Sequence, residues 1–420
     1  MKANLKVKVV QSKVELLSPC GSWESLIAAI QGGCNAVYFG IEQLNMRSQS
    51  SINFTIDDLK KISFIAKENR IRTYITINTI LYDHDISLMR SIVDKAKEYN
   101  INAIIASDYA VMNYAKKKGV PVHISTQANI TNVETVEFYS QFADVMVMAR
   151  ELTLEQVKNI VYEIKRRKIK GPFGELVRVE IFAHGALCMA VSGKCYLSLH
   201  SNFASANRGA CIQNCRRNYI VTDKESGTEF EIDNEYIMSA KDLCTIGFLD
   251  KVINTGIAVL KIEGRGRSED YVFTTTKCYR EAIDSIYTKS FTREKIGHWK
   301  KELATTFNRG FWDGYYLGKK IGEWNNDDGS KATKKKIYIG KGIKYFDKIG
   351  IGEFKIESQS LELGDEILIS GPTTGIIKDK VKELRVEENK RDSVKKGDIV
   401  SMPLKAKIRS SDKLYKIVNC

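Results

Sequence analysis

Proline is scarce in this chain, five residues among 420, and glycine numbers 29, which excludes collagen-like and proline-rich architectures. No run approaches the ~20 apolar residues needed to cross a bilayer, so no membrane partner is expected. The opening stretch MKANLKVKVVQSKVELLSP carries basic residues but no apolar core followed by a small-residue cleavage site. A soluble, cytoplasmic protein is the expectation. Three catalytic signatures are also missing. There is no Gly-x-Gly-x-x-Gly after the first strand, which argues against a dinucleotide-binding fold. The His-Glu-x-x-His of zinc proteases and the Gly-x-Ser-x-Gly of serine hydrolases are absent too.

What is present suits a large folded protein. At 43% hydrophobic and 28% charged residues the chain can bury a substantial core, and its length fits two or three domains. The 65 basic against 51 acidic side chains leave a net charge of +14. Such an excess favours a polyanionic partner, because each lysine or arginine that neutralises a phosphate releases a counterion; a lysine-rich solvated surface is the plainer alternative. The excess is uneven: Lys331 to Cys420 holds 21 basic and 13 acidic residues, +8 of the total.

Short apolar runs alternate with amphipathic ones through the first half. Strands are expected at 14–17, 36–39, 72–77, 103–106, 122–125, 144–148 and 177–183, with helices at 22–31, 55–69, 87–99, 109–118, 132–140 and 153–167. Repeated strand–helix units of this length imply a parallel sheet with helical crossovers. Their number predicts a TIM-barrel-like β/α barrel, closed or nearly so, with 259–262 as the closing strand. Chemistry on such a barrel sits at the C-terminal strand ends. Ser18, Asn78, Ser125, Thr126, Gln127, Arg150, Glu151 and His184 fall there. The resulting division is 1–13 as an N-terminal extension, 14–290 as the barrel with a Cys-rich insertion at 188–244, 291–328 as a helical extension and linker, and 329–420 as a small, basic C-terminal β-barrel domain. Its strands are expected at 336–338, 349–354, 366–369, 382–386, 399–402 and 405–408.

Five of nine cysteines, Cys188, Cys195, Cys211, Cys215 and Cys244, crowd into one window. Without a secretory signal they read as a metal or redox site rather than as disulfides. Only Cys211 and Cys215 have a zinc-like spacing, whereas an iron–sulfur cluster tolerates irregular spacings on Gly-rich loops. The iron–sulfur reading is therefore preferred, with zinc as the alternative. Arg208, Arg216, Arg217, Arg265 and Arg267 surround the window, and planar guanidiniums of this kind recognise carboxylate or phosphate. An anionic small molecule beside a metal group is the inference; structural ion pairs with Glu180, Asp242 and Glu263 are the alternative.

Glu180-x-Phe182-x-x-Gly185-Ala186-Leu187-Cys188 and Gly193-x-Cys195-x-Leu197-Ser198 resemble the signature of the collagenase-like peptidases, peptidase family U32. Further blocks share the resemblance: Ala36–Gly40, Ser125-Thr-Gln127, Ala149–Leu152, Asn207-Arg-Gly209, Cys211-x-Gln213-x-Cys215-Arg216, Lys241-Asp-Leu-Cys244, Lys261-Ile-Glu-Gly-Arg265 and Phe307-Asn-Arg-Gly310. It spans residues 14–420; the loop 41–51 and the cysteines at 20 and 34 depart from it. The family includes proteins named for proteolysis. It also includes oxygen-independent RNA and quinone hydroxylation factors that carry a 4Fe–4S cluster, the RNA branch using prephenate as hydroxyl donor and its tRNA members forming 5-hydroxyuridine at the wobble position. The resemblance implies cluster ligands Cys188, Cys195, Cys211 and Cys244, with Cys215 in reserve. Glu180 and His184 are the catalytic candidates. Gln127, Arg150, Arg208, Arg216, Lys261, Glu263, Arg265 and Arg267 are the candidates for substrate binding.

A cysteine protease needs one activated thiolate with a histidine in reach, and leaves the other clustered thiols without a role. Prephenate is a dicarboxylate that suits the arginines, and tRNA suits the basic tail. RNA hydroxylation is thus preferred. Peptidase activity built on Cys188 or Glu180 with His184 is the alternative, and a non-catalytic RNA-binding protein with a structural metal is a third reading.

Overall fold

The computed structural model describes residues 14–48, 53–217, 219–230, 238–319, 322–325 and 329–420. The expected extension 1–13 and the linker residues 326–328 lie outside these.

Eight parallel strands build the first body: β1 (Glu15–Pro19), β2 (Ala36–Gly40), β3 (Arg72–Ile77), β4 (Ala103–Ala106), β5 (Val122–Ile124), β6 (Val145–Val147), β7 (Arg178–Gly185) and β8 (Val259–Ile262). Each pairs with the next, and β8 pairs with both β7 and β1, so the barrel is closed and leaves no edge. Alternation along the strands sorts their side chains. Leu17, Tyr38, Tyr74, Ile105, Val145 and Val259 pack together within the barrel, while Leu16, Val37, Ile75, Ile104, Met146 and Leu260 join the helices in the main core.

The crossovers are α1 (Trp23–Gln31), α2 (Asp58–Glu68), α3 (Ile86–Glu98), α4 (Tyr109–Lys118), α5 (Val133–Ser140) and α6 (Leu154–Arg167). Local chemistry sets their starts. Ser22 accepts from the Ser25 amide, Asn132 from Thr135, and Thr153 forms a reciprocal capping box with Gln156. The start expected at Thr55 moves inward because the Asp58 carboxylate accepts from the Thr55 amide and hydroxyl, making a turn ahead of α2. α7 (Leu249–Asn254) precedes β8, and α8 (Glu269–Tyr287) and α9 (Arg293–Ala304) follow it. Among the described residues no helix is long and apolar enough to cross a membrane.

Between β7 and β8 the chain leaves the barrel. It forms a short helix (Leu197–Asn202) and a strand (Asp242–Cys244) that runs antiparallel to the end of β7 and parallel to Phe311–Trp312.

The C-terminal domain is antiparallel. Its eight-stranded sheet runs Gly375–Lys380, Glu366–Gly371, Lys413–Asn419, Lys334–Phe346, Ile351–Ile356, Ile399–Pro403, Leu384–Val386, Asn389–Arg391. It packs around Ile339, Phe354, Ile369, Leu384, Val400 and Leu414. The segment 405–408 is loop, and Lys413–Asn419 supplies the strand instead. The domain docks on α1 and α8. Gln31 donates to the Thr374 carbonyl (3.0 Å) and accepts from the Ile376 amide (2.8 Å), and Ala28, Phe273, Leu368 and Ile376 close an apolar seam.

Candidate functional site

A cavity of about 210 Å³ opens at the C-terminal ends of the strands, where the insertion folds over the barrel mouth. Barrel residues form its floor: Tyr38, Thr76, Ile105, Phe182 and Lys261. Glu180 and Lys261 face inward by strand alternation, and the Lys261 ammonium donates to Glu180 at 2.8 Å with both side chains buried. His123 lies 3.9 Å from the other Glu180 oxygen, and burial holds its imidazole well below its ordinary pKa.

The wall is cationic. Arg265 is buried and donates to Asn45 Oδ1 (2.9 Å) and Thr76 Oγ1 (2.8 Å). Arg150 donates to the Ala186 carbonyl (2.8 Å) and lies 3.7 Å over the Phe182 ring. Arg47 meets the Glu263 carboxylate at 3.2 Å. Burial alone would raise the Glu263 pKa, but Arg47, Arg150 and Arg265 outweigh it and hold the carboxyl at about 2. Gln127 lines the same cavity, accepting from Ser125 at 3.1 Å.

Cys188, Cys195, Cys211 and Cys215 all line this cavity. Burial pushes the Cys215 thiol up, Arg216 opposes, and the nearby Cys188, Cys211 and Cys195 add to the rise. Two devices carry these loops to the mouth. Arg216 donates to the Leu187 carbonyl (2.6 Å) and the Ala240 carbonyl (2.7 Å), stapling the Cys188 loop to the Cys215 turn. Gly209 adopts φ +82°, and a Cβ there would collide with the Asn45 carbonyl, so only glycine lets the insertion approach the loop after β2 so closely.

Cys244 does not line this cavity. It sits on the strand beside β7, buried in the main core, and burial pushes its thiol up to about 11. The groups acting on it are the Ile246 amide, Tyr279, Lys300 and Asp313, none of them a member of the thiol cluster. Strand pairing with His184 turns its side chain into the helical layer and away from the mouth. Cys215, held in reserve at the sequence level, occupies the cavity instead.

His184 is likewise displaced from the mouth. The β7–β8 register slips between Lys261 and Ile262, so Ile262 faces His184 and the alternation that aims Glu180 and Phe182 inward is broken. The imidazole packs among Tyr271, Tyr279 and Phe311, 98% buried, and burial presses it to about 3. Among the described residues no histidine lines the cavity. Arg208 also stands outside the cavity wall: it binds the Asp85 carboxylate and the Ile80 carbonyl and lies over Tyr82. Arg267 stands in a small side cavity with Arg47 and Glu263, its guanidinium 3.7 Å over Phe307.

Sequence reasoning missed Arg47 and Tyr38. Both belong to β2 or the loop after it, the strand end left out of the list of mouth residues, and position on a barrel strand end was the signal available.

The donor set suits a group larger than one ion. Among the described residues no three His, Cys, Asp or Glu side chains converge closely enough to chelate a single metal, whereas four thiols border one cavity. The buried Asp242 Oδ1 and Arg309 Nη1 lack hydrogen-bond partners, 3.6 Å apart; Arg216 and Arg267 also act on Asp242, and Cys215 acts on Arg309. Three guanidiniums around one carboxylate leave positive charge that a thiolate-bound anionic group would balance.

The sequence profile described as peptidase family U32 matches residues 21–326. The chain belongs to peptidase family U32. This U32 chain is 56% identical over 402 residues to a protein named Collagenase from Porphyromonas gingivalis, covering 96% of this chain and 97% of that one. It is 33% identical over 317 residues to tRNA hydroxylation protein P from Helicobacter pylori, covering 73% of this chain and 72% of that one. A solved structure, the U32 peptidase Mk0906, aligns with 60% of this chain and 94% of its own at 14% identity and a TM-score of 0.39.

Proposed function

We propose that this U32 protein is an oxygen-independent tRNA hydroxylation enzyme that forms 5-hydroxyuridine at the wobble position. In this reading a 4Fe–4S cluster is held by Cys188, Cys195, Cys211 and Cys215, and prephenate is the hydroxyl donor. One observation carries the reading: four thiols and no histidine line a single cation-walled cavity. The tRNA hydroxylation name of a relative covering 73% of the chain supports it.

The roles of the side chains follow from their placement. A bound cluster would supply one-electron redox chemistry beside the cavity. Arg47, Arg150 and Arg265 would clamp the two carboxylates of the donor, with Glu263 fixing the guanidiniums in place. Lys261 presents its ammonium from the floor, oriented by Glu180. The Phe182 and Tyr38 rings exclude water around these charges and strengthen them. Zinc fits less well, since no three donors preform a single-ion site among the described residues.

Mass spectrometry of tRNA nucleosides from strains with and without the gene tests the proposal. The expected result is loss of 5-hydroxyuridine and its derivatives in the deletion strain. Identical nucleoside profiles would overturn it.

A peptidase reading is favoured by the relative named Collagenase at 56% identity. Its requirement for an activated thiolate is poorly served, because His184 is sealed away from Cys188. Gelatin cleavage by the purified protein, above that of a mock preparation, would support this second reading.

A further inference from the structure

A second cleft, of about 440 Å³, lies between the barrel helices and the C-terminal domain. The barrel contributes Asp270, Glu302, Thr305 and Thr306; the other wall carries seven lysines, Lys334, Lys335, Lys336, Lys378, Lys380, Lys382 and Lys405. Three of these are neutralised: Lys334 by Glu366, Lys336 by Glu269 and Asp270, and Lys405 by Asp379. The Lys336 pairs cross between the two bodies and fix the width of the cleft. Lys335, Lys380 and Lys382 form no ion pair among the described residues, and Lys378 forms none either, donating to the Thr274 hydroxyl at 3.1 Å and lying 5.5 Å over the Phe273 ring. Four lysines without an ion pair therefore line the cleft, with Glu302 as the one remaining carboxylate.

Their spacing is ordered. Lys378 and Lys380 alternate with the inward Asp379 along one strand, and Lys382 continues the series past the buried Val381. Successive members of such a row are about 7 Å apart, comparable to the step between neighbouring phosphates of an extended RNA strand. Apolar lining is limited to Ile367, Leu368 and Ile417, too little to anchor a protein partner through a buried apolar core.

A chain of contacts links the cleft to the thiol cavity. Thr306 lines it, the next residue, Phe307, lies beneath the Arg267 guanidinium, and Arg267 shares a side cavity with Arg47 and Glu263 of the main site. We propose that this interdomain lysine cleft grips the phosphodiester backbone of the RNA substrate and so presents a nucleotide to the barrel mouth. The proposal rests on the RNA-modification reading above.

The test uses the full-length chain and unfractionated tRNA, with affinity measured by fluorescence anisotropy across a salt series. The variant Lys335→Gln/Lys380→Gln/Lys382→Gln is compared with Lys60→Gln/Lys117→Gln/Lys158→Gln, which removes the same charge from exposed barrel helices. The cleft variant is expected to bind at least about tenfold more weakly, with the slope of log affinity against log salt reduced by about two to three; the helix variant is expected to stay within about twofold of the parent. Equal losses in both variants, or none in the cleft variant, would overturn the proposal. Competition by polyglutamate as strong as that by tRNA would assign the cleft to an acidic protein and overturn it too. The same tRNA preparations, analysed for hydroxylated nucleosides, separate the two ideas. Cleft-dependent binding without the modification would sink the hydroxylation reading alone, and modification with cleft-independent binding would sink the cleft alone.

Discussion

The Lys261 ammonium lies 2.8 Å from the Glu180 carboxylate on the floor of the thiol-lined cavity, with 6% and 0% of the two side chains exposed. Neither charge has water to fall back on, so each depends on the other. Replacing one partner, as in Lys261→Met, is expected to cost about 3–5 kcal/mol. The double variant Lys261→Met/Glu180→Leu should cost clearly less than the sum of the single changes. Urea unfolding of the four proteins measures this coupling, and additive losses would contradict it.

His184 makes the low-pH behaviour specific. Burial, helped by Arg267, presses its imidazole to about 3 from its ordinary 6.5. The fold keeps it neutral while the unfolded chain takes up a proton below about 6.5, so this contribution to stability is lost as pH falls from about 6.5 toward 3. His184→Gln should make unfolding free energy less dependent on pH between about 6 and 4, by up to ~1.4 kcal/mol per pH unit. Unfolding curves at several pH values with an unchanged slope would show that the ring is not buried neutral.

Arg47 and Arg208 separate binding from support. Arg47 lines the cavity and pairs with Glu263; Arg208 is spent on Asp85 outside the cavity wall. Arg47→Ala is expected to weaken prephenate binding by about 10- to 100-fold, the range for a lost charge-assisted contact. Arg208→Ala should leave affinity within about threefold while lowering thermal stability. Calorimetric titration under anaerobic conditions distinguishes the two, and equal affinity losses would contradict the assignment.

The barrel was legible in the sequence because each unit repeats the same physics: a short apolar strand, a capped amphipathic helix, a turn. The 103–106 strand, the 109–118 helix and the 259–262 strand coincide with their expected bounds. The site was legible only where strand alternation holds. Glu180 and Lys261 follow it, whereas His184 escapes through a one-residue register slip that composition does not reveal. Cys244 is set by pairing between segments nearly sixty residues apart, and Arg208 by an aspartate in a distant loop, so neither placement could be read locally. Arg47 lay in the loop that departs from the family pattern, where its position on a strand end was the only guide.

The interface between the two bodies gives a further prediction. Gly375 has φ +67°, and a Cβ there would overlap Gln31 Oε1 and Ile27 Cγ2, the groups on which the C-terminal domain docks. Gly375→Ala is expected to cost about 1–3 kcal/mol from the left-handed backbone alone, with docking weakened in addition. Limited proteolysis should then cut near residues 329–333 faster than in the parent, and an unchanged cleavage rate would contradict the docking geometry.

Cys215, rather than Cys244, is expected to complete the thiol set at the barrel mouth. Iron content and low-temperature electron paramagnetic resonance of anaerobically reconstituted Cys215→Ala and Cys244→Ala test it most directly. Cys215→Ala is expected to lose the 4Fe–4S signal and most of its iron, while Cys244→Ala keeps about four irons per chain. The reverse pattern, or a parent protein that takes up no iron, would contradict it.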